Sequence, residues 1–189
     1  MLELHVSQGT KLTWLQDVFK PEERTLIGYQ VEWSRNTKRL SVADRTKKVF
    51  FKSKTIPGGE ALWLPYTPGA INYVQSRGLG VISGPFSGCV MAAYNTGGGR
   101  RVCHVSTEAD GHRNDCKPLW ARIKQTCTSC VEFKPHEVFR KFSTKKLRSF
   151  GNVAIFGIIT GDDRCYSLIV DRTLGVITAK KIVKMQPMA

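Results

Sequence analysis

The chain has 189 residues, 41% of them apolar and 23% charged, with a formal net charge of +14. That length favours one domain spanning residues 1–189 with a sizeable core, and argues against a small scaffold stapled by disulfides. No apolar run reaches the roughly 20 residues that cross a bilayer, and the start, Met1 to Val6, lacks the basic and apolar regions of a signal peptide.

Strand signals dominate from the N-terminus onward. Residues 2–6 alternate apolar and polar, as do Tyr29, Val31 and Trp33. Short apolar runs follow at 49–51 and 61–64, the second stopped by Pro65. Two apolar runs then flank Asn95-Thr96-Gly97-Gly98-Gly99, a hairpin signal. A loop from Asn95 to Gly98 places Tyr94 across from Gly99 and Cys89 across from His104. In this hairpin one face carries Cys89, Met91, Val102 and His104, and the other Val90, Ala92, Cys103 and Val105. Both faces are largely apolar, so the sheet should be covered on both sides.

A helix is expected from 115 to about 126, with Asn114 as N-cap, Pro118 in the first turn, and Cys116, Leu119, Trp120, Ile123 and Cys127 on one stripe. A weaker helix is expected at 136–141. The C-terminal third reads as a meander: 153–160, a turn at Gly161-Asp162-Asp163, then 165–170 and 176–183. Together these predict an α+β fold, a layered sandwich of mainly antiparallel β-sheets flanked by helices.

The pairing of Cys89 with His104 carries the chemistry. A thiol after Ser87-Gly88 at a strand start, with an imidazole on the same face, can form a nucleophile and its base. Opposed residues have Cβ atoms about 5 Å apart. Gly88 permits close backbone approach, and the N–H groups of Gly88 and Cys89 can serve as an oxyanion hole. A buried thiol and a satisfied core histidine are the competing reading. The six cysteines are expected as thiols in a reducing compartment.

Other candidates are weaker. Cys127-Thr128-Ser129-Cys130 closes a helix, where the dipole disfavours a redox thiolate, and its spacing to Cys103, His104, His112 and Cys116 matches no standard zinc site. Cys103 and Cys165 read as packing, and His5, His112 and His136 as unpatterned. Gly97 to Gly99 lacks the Gly-Lys-Ser/Thr of a phosphate loop, so neither metal nor cofactor is expected. The positive charge suits an acidic partner, an anionic surface or a nucleic acid, although each cluster, at 45–48, 140–148 and 180–184, reads first as a solvated face. No nucleic-acid motif accompanies it.

The stretch Phe86-Ser87-Gly88-Cys89 resembles the Leu-Ser-Gly-Cys motif of the glutamine deamidase toxins, the group of the cytotoxic necrotizing factor catalytic domain and the Burkholderia lethal factor. Members carry a histidine shortly after the cysteine, across a turn, as His104 lies here. Ala61-Leu62-Trp63-Leu64-Pro65-Tyr66 is similar to the lethal factor's Leu-Trp-Leu-Pro-Trp, and Phe156-Gly157-Ile158-Ile159-Thr160-Gly161 to its Gly-Gly-Ile-Val-Thr-Gly. The resemblance implies a sandwich of two sheets flanked by helices. It also implies hydrolysis of a glutamine side-chain amide on a host protein, with Cys89 as nucleophile, His104 as base and acid, Ser87 and Gly88 in the oxyanion motif, and no cofactor.

The lethal factor has a threonine where Ser83 stands, and Ser83 would orient the imidazole through its hydroxyl or its carbonyl. A narrow cleft at the sheet edge is expected to admit the substrate loop. Such a protein would be made in a bacterial cytoplasm and secreted or delivered to the host cytosol. The alternatives are a cysteine protease or other thiol acyl hydrolase with the same dyad, and a non-catalytic basic module that binds RNA or an acidic protein.

Overall fold

A computed structural model describes residues 61–107, 116–139 and 152–183, with the backbone alone of 40–42, 47–51 and 59–60. Its elements are β1 (Leu40–Val42), β2 (Lys47–Phe51), β3 (Gly59–Pro65), β4 (Ile71–Gln75), β5 (Gly80–Gly84), β6 (Val90–Thr96), β7 (Gly99–Val105), helix α1 (Lys117–Thr126), β8 (Ser129–Phe133), a 3-10 turn (Glu137–Phe139), β9 (Val153–Ile159), β10 (Cys165–Asp171) and β11 (Val176–Val183). The expected strands at 2–6 and 29–33, the Asn114 cap, His5, His112 and the basic cluster at 140–148 lie outside the described residues.

The strands form two sheets, one of five in the order β1-β4-β7-β6-β8 and one of six in the order β11-β10-β9-β5-β3-β2. Pairing is antiparallel except for β1 with β4 and β3 with β5. The chain leaves β3 for β4 in the other sheet and returns to β5 beside β3, so β3 and β5 run parallel. The turn back from β4 uses Gly78 at φ +81° and Arg77 at φ 45°. Only a residue free of a β-carbon takes such angles without strain, which accounts for Gly78.

The two sheets face one another across Leu62, Leu64, Val81, Ile159 and Cys165 from the six-stranded sheet and Val74, Met91, Ala93, Val102 and Phe133 from the five-stranded one. Phe86 and Cys89 enter this layer from the segment joining β5 to β6. The opposite face of the five-stranded sheet packs Ile71, Val90, Ala92, Tyr94, Cys103 and Val105 against Cys116 and Trp120 of α1. The hairpin is therefore covered on both faces, as its two apolar patterns predicted. Among the described residues α1 is the one α-helix, and none is long and apolar enough to cross a membrane.

Some expected boundaries shift. α1 begins at Lys117 with Cys116 as its N-cap, and Pro118 sits in the first turn as expected. The weaker helix at 136–141 is the 3-10 turn Glu137–Phe139, with 140 and 141 outside the described residues. The loop of the β6–β7 hairpin is Gly97-Gly98, shorter than Asn95 to Gly98, because Asn95 and Thr96 pair with Arg100 and Gly99.

At the far end Arg100 ties the sheets together. Its guanidinium donates to Ser76 Oγ at 2.5 Å, to the Thr160 carbonyl at 3.0 Å and to Asp163 Oδ1 from Nε at 3.0 Å. In the middle, Gly157 lies across from Ser83 on one side and Ser167 on the other. A β-carbon at Gly157 would stand 2.7 Å from Met91 Sδ, 2.8 Å from Pro135 Cγ and 3.2 Å from Phe86 Cε2. Gly157→Ala should therefore push the sheets apart and cost about 1–3 kcal/mol of stability by overpacking. Urea denaturation checks this, and an unchanged midpoint would contradict the packing described.

Candidate active site

Cys89 immediately precedes β6, after a bend at Ser87-Gly88. The segment is anchored at Phe86, whose N–H donates to the Ile155 carbonyl at 2.8 Å, and at Gly88, whose carbonyl accepts from Thr107 Oγ1 at 2.8 Å. Ser87 is exposed and Gly88 half-buried, but Cys89 is 1% exposed. A β-carbon on Gly88 would meet nothing closer than Thr107 Oγ1 at 3.9 Å. Packing inside the protein thus does not demand glycine there.

His104 lies near the end of β7, flanked by Met91 of β6 and Asn72 of β4. It is 1% exposed. Phe86 stacks on its ring at 4.1 Å and 13°, and Tyr66 packs at 4.9 Å and 43°. Ser83 Oγ is 2.8 Å from His104 Nδ1 and donates to the Leu64 carbonyl at 2.7 Å. A hydroxyl has one proton, and a carbonyl can only accept. The Ser83 proton therefore goes to Leu64, and the imidazole donates from Nδ1–H to Ser83 Oγ. The neutral ring then carries its lone pair on Nε2, which has no hydrogen-bond partner.

Burial lowers the His104 pKa from its usual 6.5 to about 3. The charged ring would lose its water and gain no counter-charge. The ring is therefore neutral across the physiological range.

The hairpin places Cys89 and His104 on the same face, but not directly opposite. Each pairing is displaced by two residues, so His104 faces Met91, and the continued register would set Cys89 across from Ser106. The even shift preserves the face. Diagonal neighbours have Cα atoms about 7–8 Å apart, and no thiol–imidazole hydrogen bond forms, since Nε2 is unpartnered. The two-residue loop causes the shift. Neither side chain lies at the floor of an open cleft, in contrast to the cleft expected at the sheet edge.

Among the other sequence candidates, Cys103 points to the α1 side and Cys165 into the layer between the sheets, both 0% exposed. None of the six cysteines is in a disulfide. Asp163 takes φ 63° in the β9–β10 turn, and Asp162 accepts from Thr160 and pairs with Arg164, as turn residues do.

The residues that sequence reasoning did not single out are Asn72, Thr107, the Leu64 carbonyl and Tyr66. Asn72 is buried and donates to the Pro65 carbonyl at 3.0 Å and Thr67 Oγ1 at 2.6 Å, pinning the turn that carries Tyr66. Its signal was a polar residue in the apolar run Ile71 to Val74. Tyr66 ends a stretch already quoted, but its role depends on a contact far away in sequence.

Comparison with family models, with curated proteins and with solved structures finds no match.

The neutral imidazole has a measurable consequence. Below about pH 6.5 the unfolded chain takes a proton that the native ring refuses, so stability falls as pH drops from about 6.5 towards 3. The contribution is on the order of 1 kcal/mol per pH unit. Urea denaturation between about pH 7 and pH 4 should show a shallower acid slope in His104→Gln than in wild type. Equal slopes would mean that the native ring accepts the proton.

Proposed function

We propose that the protein is a cysteine-dependent protein-glutamine deamidase of the deamidase-toxin type. The single observation that supports this most is the state of His104: a neutral ring tied at Nδ1 to Ser83, with a bare Nε2 on the face that carries Cys89. An unpartnered buried nitrogen is costly in a core, and it becomes a useful base once a thiolate forms beside it and stabilises the imidazolium that burial alone disfavours. The three stretches similar to the deamidase toxins also converge here. Leu64 and Tyr66, then Phe86 and Cys89, then Gly157 all surround the Ser83–His104 pair.

In this reading the bend at Ser87-Gly88 lifts, and substrate binding brings Cys89 Sγ to Nε2. His104 takes the thiol proton and the thiolate attacks the glutamine carboxamide carbon. N–H groups at Gly88 and Cys89 hold the oxyanion, each such donor being worth about 3 kcal/mol of barrier. His104 returns the proton to the departing ammonia. Water, deprotonated by His104, then cleaves the thioester to leave glutamate. Ser83 keeps Nδ1 protonated throughout, so Nε2 is the nitrogen that exchanges the proton. The substrate is a host protein with a glutamine on an accessible loop, and the basic surface suits an acidic one. Production in a bacterial cytoplasm followed by secretion or delivery to a host cytosol belongs to the same proposal.

The 1% exposure of both side chains favours a second reading, a basic module with Cys89 as a core residue, binding an acidic protein or RNA. Peptide mapping of host-cell lysate separates the readings. Wild type should raise the mass of a glutamine peptide by about one dalton, as amide hydrolysis requires, and Cys89→Ser and His104→Ala should not. Backbone cleavage would indicate a protease with the same dyad. A lysate unchanged by wild type, with salt-sensitive RNA binding, would favour the basic module.

A further inference from the structure

The face of the five-stranded sheet turned away from His104 carries a second group of thiols, at the C-terminal end of α1. Cys127 is the C-cap. Its N–H donates to the Ile123 carbonyl at 3.1 Å and its thiol to the Lys124 carbonyl at 3.4 Å. The chain then bends and enters β8, where Thr128 N–H donates to the Asn95 carbonyl at 3.1 Å and Cys130 pairs with Tyr94. Both side chains pack against the cluster that holds Tyr94 and Trp120. Cys127 is among the neighbours that, with burial, raise the Cys130 thiol's pKa, and both side chains are only half-buried. Three chain steps across the bend at Thr128 can bring the two Cα atoms within the roughly 7 Å that a disulfide needs.

No other cysteine competes. Ala92 of β6 pairs with Cys103 on one side and Glu132 of β8 on the other, so two strand spacings of about 4.8 Å separate Cys103 from β8. That exceeds the span of about 7 Å between bridged Cα atoms, and Cys103 is 0% exposed. Cys116 caps the opposite end of α1. Glu132 is occupied by Trp120 Nε1 and, at 2.9 Å, by Lys124 Nζ. Among the described residues no three metal-ligating side chains gather.

We infer that Cys127 and Cys130 are a redox-modification site, closing to a reversible disulfide on reaction with a small disulfide such as oxidised glutathione. The Cys127 thiolate attacks one glutathione sulfur, and reduced glutathione leaves with a proton. Cys130 then loses its proton, attacks the Cys127 sulfur and releases the second glutathione. One dithiol becomes one disulfide, and one oxidised glutathione becomes two reduced molecules. Cys130 is a poor first nucleophile because burial, with Cys127 and Glu132 nearby, pushes its pKa up to about 12. Closed, the disulfide acts as a staple between the end of α1 and β8.

The test is trypsin mapping of the full chain after incubation with oxidised glutathione. Cleavage after Lys124 and Arg140, with the Lys134-Pro135 bond resistant, leaves both cysteines on one peptide and no other cysteine with them. That peptide should become lighter by about 2 Da, the two hydrogens lost, and dithiothreitol should restore it. Cys130→Ser should stop at the mixed disulfide on Cys127. The proposal is overturned if both thiols still take iodoacetamide after the incubation, if either is bridged to another cysteine, or if Cys130→Ser acquires no glutathione.

Discussion

A chain of two hydrogen bonds, from the His104 imidazole to the Ser83 hydroxyl and from that hydroxyl to the Leu64 carbonyl, joins the two sheets at the centre of the molecule. Its surroundings are apolar, so each bond is stronger than it would be in water and each unmade bond more costly. Because a carbonyl cannot donate, this chain has a direction. It fixes which nitrogen bears the proton and leaves the other one bare. The pairing of Ser83 with Leu64 on neighbouring parallel strands supplies the geometry, and the stacked Phe86 ring sets the plane of the imidazole.

Close approach of the sheets at this point depends on the missing side chain of Gly157, which leaves room for Met91, Pro135 and Phe86. Ser83 and Gly157 are direct neighbours across β5 and β9. The polar pair and the gap beside it are thus one construction, assembled from segments far apart in sequence. The thiols on the other face of the five-stranded sheet sit behind β6 and are separated from it by the backbone.

Much of this was legible from periodicity. Alternation in β6 and β7 assigned Cys89 and His104 to one face and Cys103 to the other, and the pleat enforced that assignment even though the loop is shorter than expected. The exact partner was not legible, because Asn95 and Thr96 suit a turn as well as a strand end, and only pairing with Arg100 and Gly99 decides. The meander from 153 to 183 followed from continuous apolar runs and a polar turn. Strands β1, β4, β5 and β8 were missed. Asn72 and Ser83 break the apolar runs of β4 and β5, and Ser129 and Glu132 do so in β8. Those same polar side chains are the ones that pin Tyr66, hold His104 and receive Lys124.

A buried imidazole beside a buried thiol is a closed arrangement, and the proposed reaction requires the ring to be ready before substrate arrives. Nitrogen-15 NMR of the imidazole tests that readiness most directly. The account requires His104 to show a protonated Nδ1 and a bare Nε2 at neutral pH, to remain neutral well into the acid range, and to lose this fixed tautomer in Ser83→Ala. A protonated Nε2, or a ring that titrates near the ordinary value of about 6.5, would contradict it.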